Sequence, residues 1–266
     1  MRERYTVFAM ATSHQTLRDP QLKDQRGLAK QLKRVLPRTY VRALGRAYNA
    51  AMSAIPDVPK YAIGTHFRRR KIPYQFIEAD DVIVQVGAPR DLLAAGRSRA
   101  VHFARIATRG RVVVVEPDPE NCRALREFIE RHDLAARLTL FPCGAWSENT
   151  DLVLLSSPNH PASNRLDALV ELPDDVIQSR QYQRVTVPVK TVDTILEEAG
   201  LELPKLVSIT TNGAEQPILA GMKTTIAAGC PYISLAGQGE GHVAAMARLG
   251  YEYFARDDRG CCFRRK

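Results

Sequence analysis

The sequence predicts an α/β domain in which a doubly wound parallel sheet is closed by an antiparallel hairpin, and three observations carry that prediction. Two continuous apolar runs, one in DVIVQVGAP from Val82 and one in RVVVVEPDP up to Val115, flank an amphipathic run that ends at Ala107. This is the pattern of a βαβ unit with two buried parallel strands. Three more short apolar runs follow, at Arg137 to Phe141, Lys205 to Thr210 and Pro231 to Leu235, with helical patterns between them. The chain then closes with Tyr251 to Ala255 and Cys261 to Arg264, which the turn sequence DDRG joins as a hairpin.

Taken in order, residues 1 to 25 are polar and mixed and read as a loosely ordered start. From Gly27 to Ser53, apolar residues recur at helical spacing while Arg34, Arg38, Arg42 and Arg46 recur every four positions, with Pro37 splitting or kinking the helix. Pro119 to His132 reads as a helix. Residues 147 to 183 are irregular apart from a strand at Asp151 to Leu155, and they read as a lid or substrate insertion. Arg184 to Lys190 alternates like an exposed strand, Val192 to Ala199 is a helix capped by Thr191, Pro217 to Ala228 is another, and His242 to Leu249 is the last. The division expected is a basic helical extension over residues 1–72 and an α/β domain over 73–266.

Composition narrows the class. With 266 residues and 45% hydrophobic content the chain can bury a large core. No run reaches the roughly 18 apolar residues that span a bilayer, and no secretory leader is recognisable, so a cytoplasmic protein is expected. The five cysteines form no CxxC pair and the histidines do not cluster with them, so no metal is expected. The net charge of +9 is concentrated: Arg26 to Lys71 holds twelve Lys or Arg against Asp57 alone. That stretch suits peripheral contact with an anionic membrane, or else a packed helix with a solvated positive face. Nucleic acid is disfavoured, because no recognition-helix or RNP pattern accompanies the charge.

In a doubly wound sheet the ligand crevice lies at the carboxyl ends of the strands. Here the first strand ends at Gly87-Ala88 and the second at Glu116, 29 residues after Gly87 and 20 after Gly96. An acid so placed accepts hydrogen bonds from ribose hydroxyls. The loop Cys143-Gly144-Ala145-Trp146 would lie next to Glu116, with Trp146 either stacking on a base or closing the core.

The signatures ADDVIVQVGA, VVVVEPDPENCRALREFI, VPVKTVDTIL and LVSITTNGAEQPILAGM resemble those of the FkbM family of S-adenosylmethionine-dependent methyltransferases. The resemblance implies the seven-stranded, Rossmann-like class I methyltransferase sheet and S-adenosylmethionine as cofactor. It also implies methyl transfer to a hydroxyl oxygen of a small-molecule, glycan or lipid-linked acceptor. The cofactor residues it points to are Gln85, Gly87, Ala88, Gly96, Arg97, Ser98, Glu116, Asp118, Cys143 and Gly144. Near the methyl group it places Thr210, Asn212 and Glu215, with His160 of the insertion as a candidate base.

The sequence also departs from the family. Gln85, Thr210, Asn212 and Ala236 stand where the family commonly has acids, and Pro89 opens an apparent insertion before Gly96. Gln85 lacks the charge to hold the cofactor's ammonium group, while Arg90, Arg97 or Arg99 can pair with its carboxylate, and Ser98 can cap a helix whose N-terminus favours an anion. The loss of acids leaves a catalytically silent binding protein as the alternative function. Removal of Glu116 is expected to weaken ligand binding with little effect on folding.

Overall fold

In the computed structural model, residues 40, 47, 51–52, 54–169, 172–237 and 240–266 are described. The expected loose start at 1–25 and the arginine-repeat helix over 27–53 lie outside those residues, apart from isolated positions. The first complete helix is α1 (Asp57–Arg68). Then come β1 (Val82–Val86), α2 (Arg90–Ala94), α3 (Arg99–Ile106), β2 (Arg111–Val115), α4 (Pro119–Arg131) and β3 (Leu138–Phe141).

Five strands run parallel, in the order β3-β2-β1, then β8 (Leu206–Ile209) and β9 (Tyr232–Ala236). The hairpin of β10 (Tyr251–Arg256) and β11 (Gly260–Arg265) adds to β9 through β11, antiparallel, completing a seven-stranded sheet. This is the doubly wound sheet with antiparallel closure that the alternation of apolar runs predicted. Val84 and Val86 face one core, with Val113, Val115, Val207 and Ile209, while Ile83, Val112 and Val114 face the other. Both faces are covered, which is why these strands read as continuous apolar runs and not as alternating ones. Each fully buried Val or Ile contributes about 1.5 to 3 kcal/mol.

The insertion is more regular than its sequence suggested. A second sheet, β4-β7-β5-β6, forms from β4 (Gly144–Ala145), β5 (Thr150–Ser156), β6 (Arg165–Leu166) and β7 (Gln183–Lys190). Its two longer strands are half-exposed and the other two are only two residues long, so they carry little periodic signal. After β6 comes α5 (Asp174–Ser179), and α6 (Val192–Glu198) starts at Thr191, whose hydroxyl accepts from the Thr194 N–H as expected of a cap. Trp146 is half-buried and packs against the two hydrophobic clusters that meet at this sheet, as a residue closing the core does.

Residues 89–95, read as an insertion before Gly96, contain the helix α2. One other expectation is corrected. The single helix expected over Pro217 to Ala228 is two, α7 (Glu215–Ala220) and α8 (Lys223–Ala227), followed near the C-terminus by α9 (Glu240–Arg248). The break falls at Gly221, where a Cβ would stand 2.1 Å from the carbonyl oxygen of Trp146. Only a glycine admits that approach, and the helix cannot continue through it.

Arg99, considered above as a partner for a ligand carboxylate, is instead an internal strut. Its guanidinium meets Asp257 at 2.8 Å, both side chains nearly fully buried, and so ties α3 to the hairpin turn. Asp257 also accepts from Ser234 Oγ and from the Arg259 and Gly260 N–H groups. A buried pair this well bonded is costly to break, by about 3 to 5 kcal/mol.

Candidate functional site

A crevice opens at the carboxyl ends of β1, β2 and β8, where a doubly wound sheet places its ligand. It holds about 580 Å³ of empty space counting its open mouth. The floor is Val86, Gly87, Glu116, Thr210 and Thr211, and the roof is the segment from Pro161 to Leu169.

Glu116 is the acid of this site, 4% exposed. The Ala88 N–H donates to its Oε2 at 2.6 Å, and the Asp118 N–H and Asn121 Nδ2 donate to its Oε1 at 3.0 and 3.1 Å. Burial pushes its carboxyl up from the usual range, and these three donors oppose the shift. A carboxylate has about four acceptor positions, so one remains for a ligand hydroxyl. Its position at the end of β2 follows from the strand itself, and its donors come from the loop after β1 and the first turn of α4. Asp118 caps α4, accepting from the Asn121 N–H at 2.9 Å, and Pro119 at the first helical position fits that start.

Gly87 has φ +87°, and a Cβ there would fall 2.6 Å from the Thr210 carbonyl oxygen. The glycine lets the chain turn at the end of β1 while lying close against the Thr210 backbone at the end of β8. Beneath it, Gln85 is 1% exposed and wholly occupied. Its Nε2 donates to Thr210 Oγ1 at 2.8 Å and to the Val86 and Gly87 carbonyls, and its Oε1 accepts from Ser208. Thr210 Oγ1 donates in turn to the Val86 carbonyl at 2.9 Å. Gln85 thus joins β1 to β8 and has no group left for a ligand.

The roof is latched on both sides. Asn212 Nδ2 donates to the carbonyls of Ala162 and Asn164 at 2.9 and 2.8 Å, and Asn164 Nδ2 donates to Asp118 Oδ2 at 3.0 Å. Ser156 Oγ also bonds that carboxylate oxygen. Because β1 lies between β2 and β8, the roof crosses the end of β1. Arg90 adds an outer tie, donating to the Pro158 carbonyl at 2.7 Å while pairing with Glu120.

The structure therefore brings Gly87, Glu116, Gly144, Thr210 and Asn212 to one crevice, with Ala88 and Asp118 bonded to its acid or its roof. Other expected residues stand apart. Gly96 packs against Lys60, with no room for a Cβ. Arg97 is exposed and does not line the crevice; Ser98 sits at the start of α3, but its side chain makes no capping hydrogen bond. Cys143 is buried, its thiol pushed up to about 11 by burial. His160 is exposed outside the lining. Glu215 is buried behind it, accepting from Thr211 Oγ1 at 2.9 Å.

Three contributors were not anticipated. Asn121 lies in the EPDPEN motif, and its side chain both donates to Glu116 and accepts from the Arg90 N–H. Asn164 and Arg165 come from the irregular insertion, where nothing in the spacing singles them out. Arg165 lines the crevice, and among the described residues its buried Nε has no hydrogen-bond partner and its side chain no ion pair. A partnerless guanidinium nitrogen over a crevice suits an anionic group of a ligand.

The Methyltransferase FkbM domain model matches residues 85–253. No curated protein matches. Among solved structures, the chain is similar to methyltransferase FkbM from Methylobacillus flagellatus KT, with 17% identity over 70% of this chain and 44% of that one and a TM-score of 0.46. It thus spans less than half the length of that protein. It is also similar to a methyltransferase from Geobacter sulfurreducens, with 15% identity over 92% and 98% of the two chains and a TM-score of 0.43. A third similarity, to the C-terminal domain of precorrin-6Y C5,15-methyltransferase from Rhodobacter capsulatus, has 13% identity over 70% and 79% and a TM-score of 0.34.

Proposed function

The chain belongs to the FkbM methyltransferase family, and from that premise we propose that it binds S-adenosylmethionine in this crevice and methylates a hydroxyl oxygen of a small-molecule, glycan or lipid-linked acceptor. The observation that carries the reading is Glu116: an acid at the end of β2, fixed by three internal donors, with an acceptor position left for a ribose hydroxyl. Gly87 lets the end of β1 turn tightly against Thr210 at the crevice floor, and Arg165, which lines the crevice, offers a cation to the ligand's carboxylate.

When bound, S-adenosylmethionine supplies a methyl group on a sulfonium, already a strong electrophile. The protein's task is then orientation and water exclusion, and the latched roof serves both. Thr210 holds the loop after β1, and Asn212 holds the roof. Glu215 acts through Thr211, so it is a positioning residue in this reading. The direct assay is transfer of labelled methyl from S-adenosylmethionine into fractions of a cell lysate. Wild-type protein and His160→Ala should transfer label and Glu116→Ala should not.

One observation favours a second reading, a silent relative that binds ligand without turnover. Among the described residues, Glu116 is the one acid lining the crevice, and no histidine lines it. With Glu116 committed to internal donors, a hydroxyl acceptor finds no ready base, whose contribution is about 10² to 10⁴ in rate. Ligand binding without any transfer in the lysate assay would select this reading.

A further inference from the structure

The helix α1 buries several polar residues beside Tyr61 and exposes an apolar stripe. Positions 57, 60, 61, 64, 65 and 68 face the protein and are buried or half-buried, whereas 58, 59, 62, 63, 66 and 67 are exposed, the two stripes expected of a helix lying on a domain. A helix on an aqueous surface turns its charged residues outward. Here the inward stripe carries Asp57, Lys60, Thr65 and Arg68. Each has an internal partner. Lys60 Nζ donates to the Ala94 carbonyl at 2.8 Å and pairs with Asp57, Thr65 Oγ1 meets His102 Nδ1 at 2.9 Å, and Arg68 donates to the Gly64 carbonyl.

The outward stripe is Val58, Pro59, Ala62, Ile63, His66 and Phe67. Val58 is 60% exposed, Ile63 58% and Phe67 64%, and Ile55 just before the helix extends the same apolar surface. Single exposed apolar residues are ordinary, but a contiguous stripe of them marks an interaction surface.

Charge identifies the partner. Phe67 is followed by Arg68, Arg69, Arg70 and Lys71, and no acid occurs from Val58 to Ile77. Arg69, Arg70 and Lys71 are exposed, at the end of the apolar stripe. An apolar face beside a basic cluster suits an anionic lipid surface, where the side chains enter the acyl boundary and the cations meet headgroups. A partner helix of the usual kind would satisfy the apolar stripe but leave the cations unused. We propose that α1 and the turn after it form a docking surface for an anionic membrane. Its anchor is rigid, because Tyr61 fixes the helix through its hydroxyl to the Leu93 carbonyl at 2.8 Å. The proposal is independent of the crevice's chemistry.

Sedimentation of the full chain with vesicles tests it, using phosphatidylcholine alone or with about one third phosphatidylserine. Wild type should bind the acidic vesicles much more tightly than the neutral ones, and release should follow as salt approaches about 0.5 M. Ile63→Ser with Phe67→Ser should weaken binding by about tenfold or more through lost apolar insertion. Changing Arg69, Arg70 and Lys71 to Gln should cost about fivefold per charge. These side chains are exposed, so the thermal midpoints should stay at the wild-type value and exclude unfolding as the cause. Equal binding to both vesicle types, no binding at all, or serine variants that bind like wild type would each overturn the proposal. So would a dimer in solution that dissociates on Phe67→Ser, which would assign the stripe to a second copy of the chain.

Discussion

Asn212 Nδ2 lies 2.8 Å from the carbonyl oxygen of Asn164, so the end of β8 holds the roof of the crevice by a side-chain amide. The same nitrogen bonds the Ala162 carbonyl. A carboxylate at this position could not donate these bonds. The amide therefore serves to hold the roof.

Asn212→Ala should therefore loosen the roof more than it weakens the fold. Two lost hydrogen bonds at a partly exposed site are worth about 1 to 2 kcal/mol together. Hydrogen exchange should quicken across residues 157 to 166 and stay unchanged in β1 and β2. Unaltered exchange in the roof would show that other contacts hold it.

Glu116→Ala should cost both binding and stability. The sequence alone suggested a ligand contact with little part in folding, but the carboxylate also anchors Ala88, Asp118 and Asn121 from the interior. Leaving these donors unpaired should lower stability by about 2 to 4 kcal/mol and weaken S-adenosylhomocysteine at least tenfold. Denaturant titration and calorimetry measure the two effects separately. A variant as stable as wild type would contradict the internal role.

Arg165→Gln separates the two ends of the cofactor. If Arg165 meets the ligand's carboxylate, the variant should bind S-adenosylhomocysteine about tenfold more weakly, the scale of a charged hydrogen bond. It should bind methylthioadenosine, which has the nucleoside but no amino acid, as well as wild type does. Equal loss for both ligands would place Arg165 near the nucleoside or in the fold.

His102 should make the protein acid-sensitive. It is buried between Thr65 and the Gly96 carbonyl, and burial with the nearby Arg68 charge lowers its pKa from 6.5 to about 3. The folded state keeps it neutral while the unfolded chain takes up a proton below about 6.5. Its contribution is thus fully present above about pH 6.5 and is lost as pH falls toward 3. Between pH 7.5 and 5 the loss should be about 2 kcal/mol. His102→Gln should flatten that part of the stability profile, and an unchanged slope would remove His102 as its source.

Much of the sheet was legible because its strands are buried on both faces: the runs ending at Val86 and Val115 admit no other reading of comparable simplicity, and Glu116 falls where such strands end. The irregular insertion was not legible. Arg165 and Leu166 form a two-residue strand paired with Leu155 and Leu154, a contact that no local period encodes. Gln85 illustrates the other limit. Its place at the end of β1 suggested a cofactor contact, but its amide is spent between β1 and β8, on partners about 125 residues away. Long-range pairing decided both cases, and a single sequence does not display it.

The most direct test of the account is calorimetric titration of the wild-type chain with S-adenosylhomocysteine and, separately, with NAD. The account predicts one S-adenosylhomocysteine site per chain, weakened by Glu116→Ala, and no binding of NAD. A chain that takes up no S-adenosylhomocysteine at about millimolar concentration, or that binds NAD instead, would contradict it.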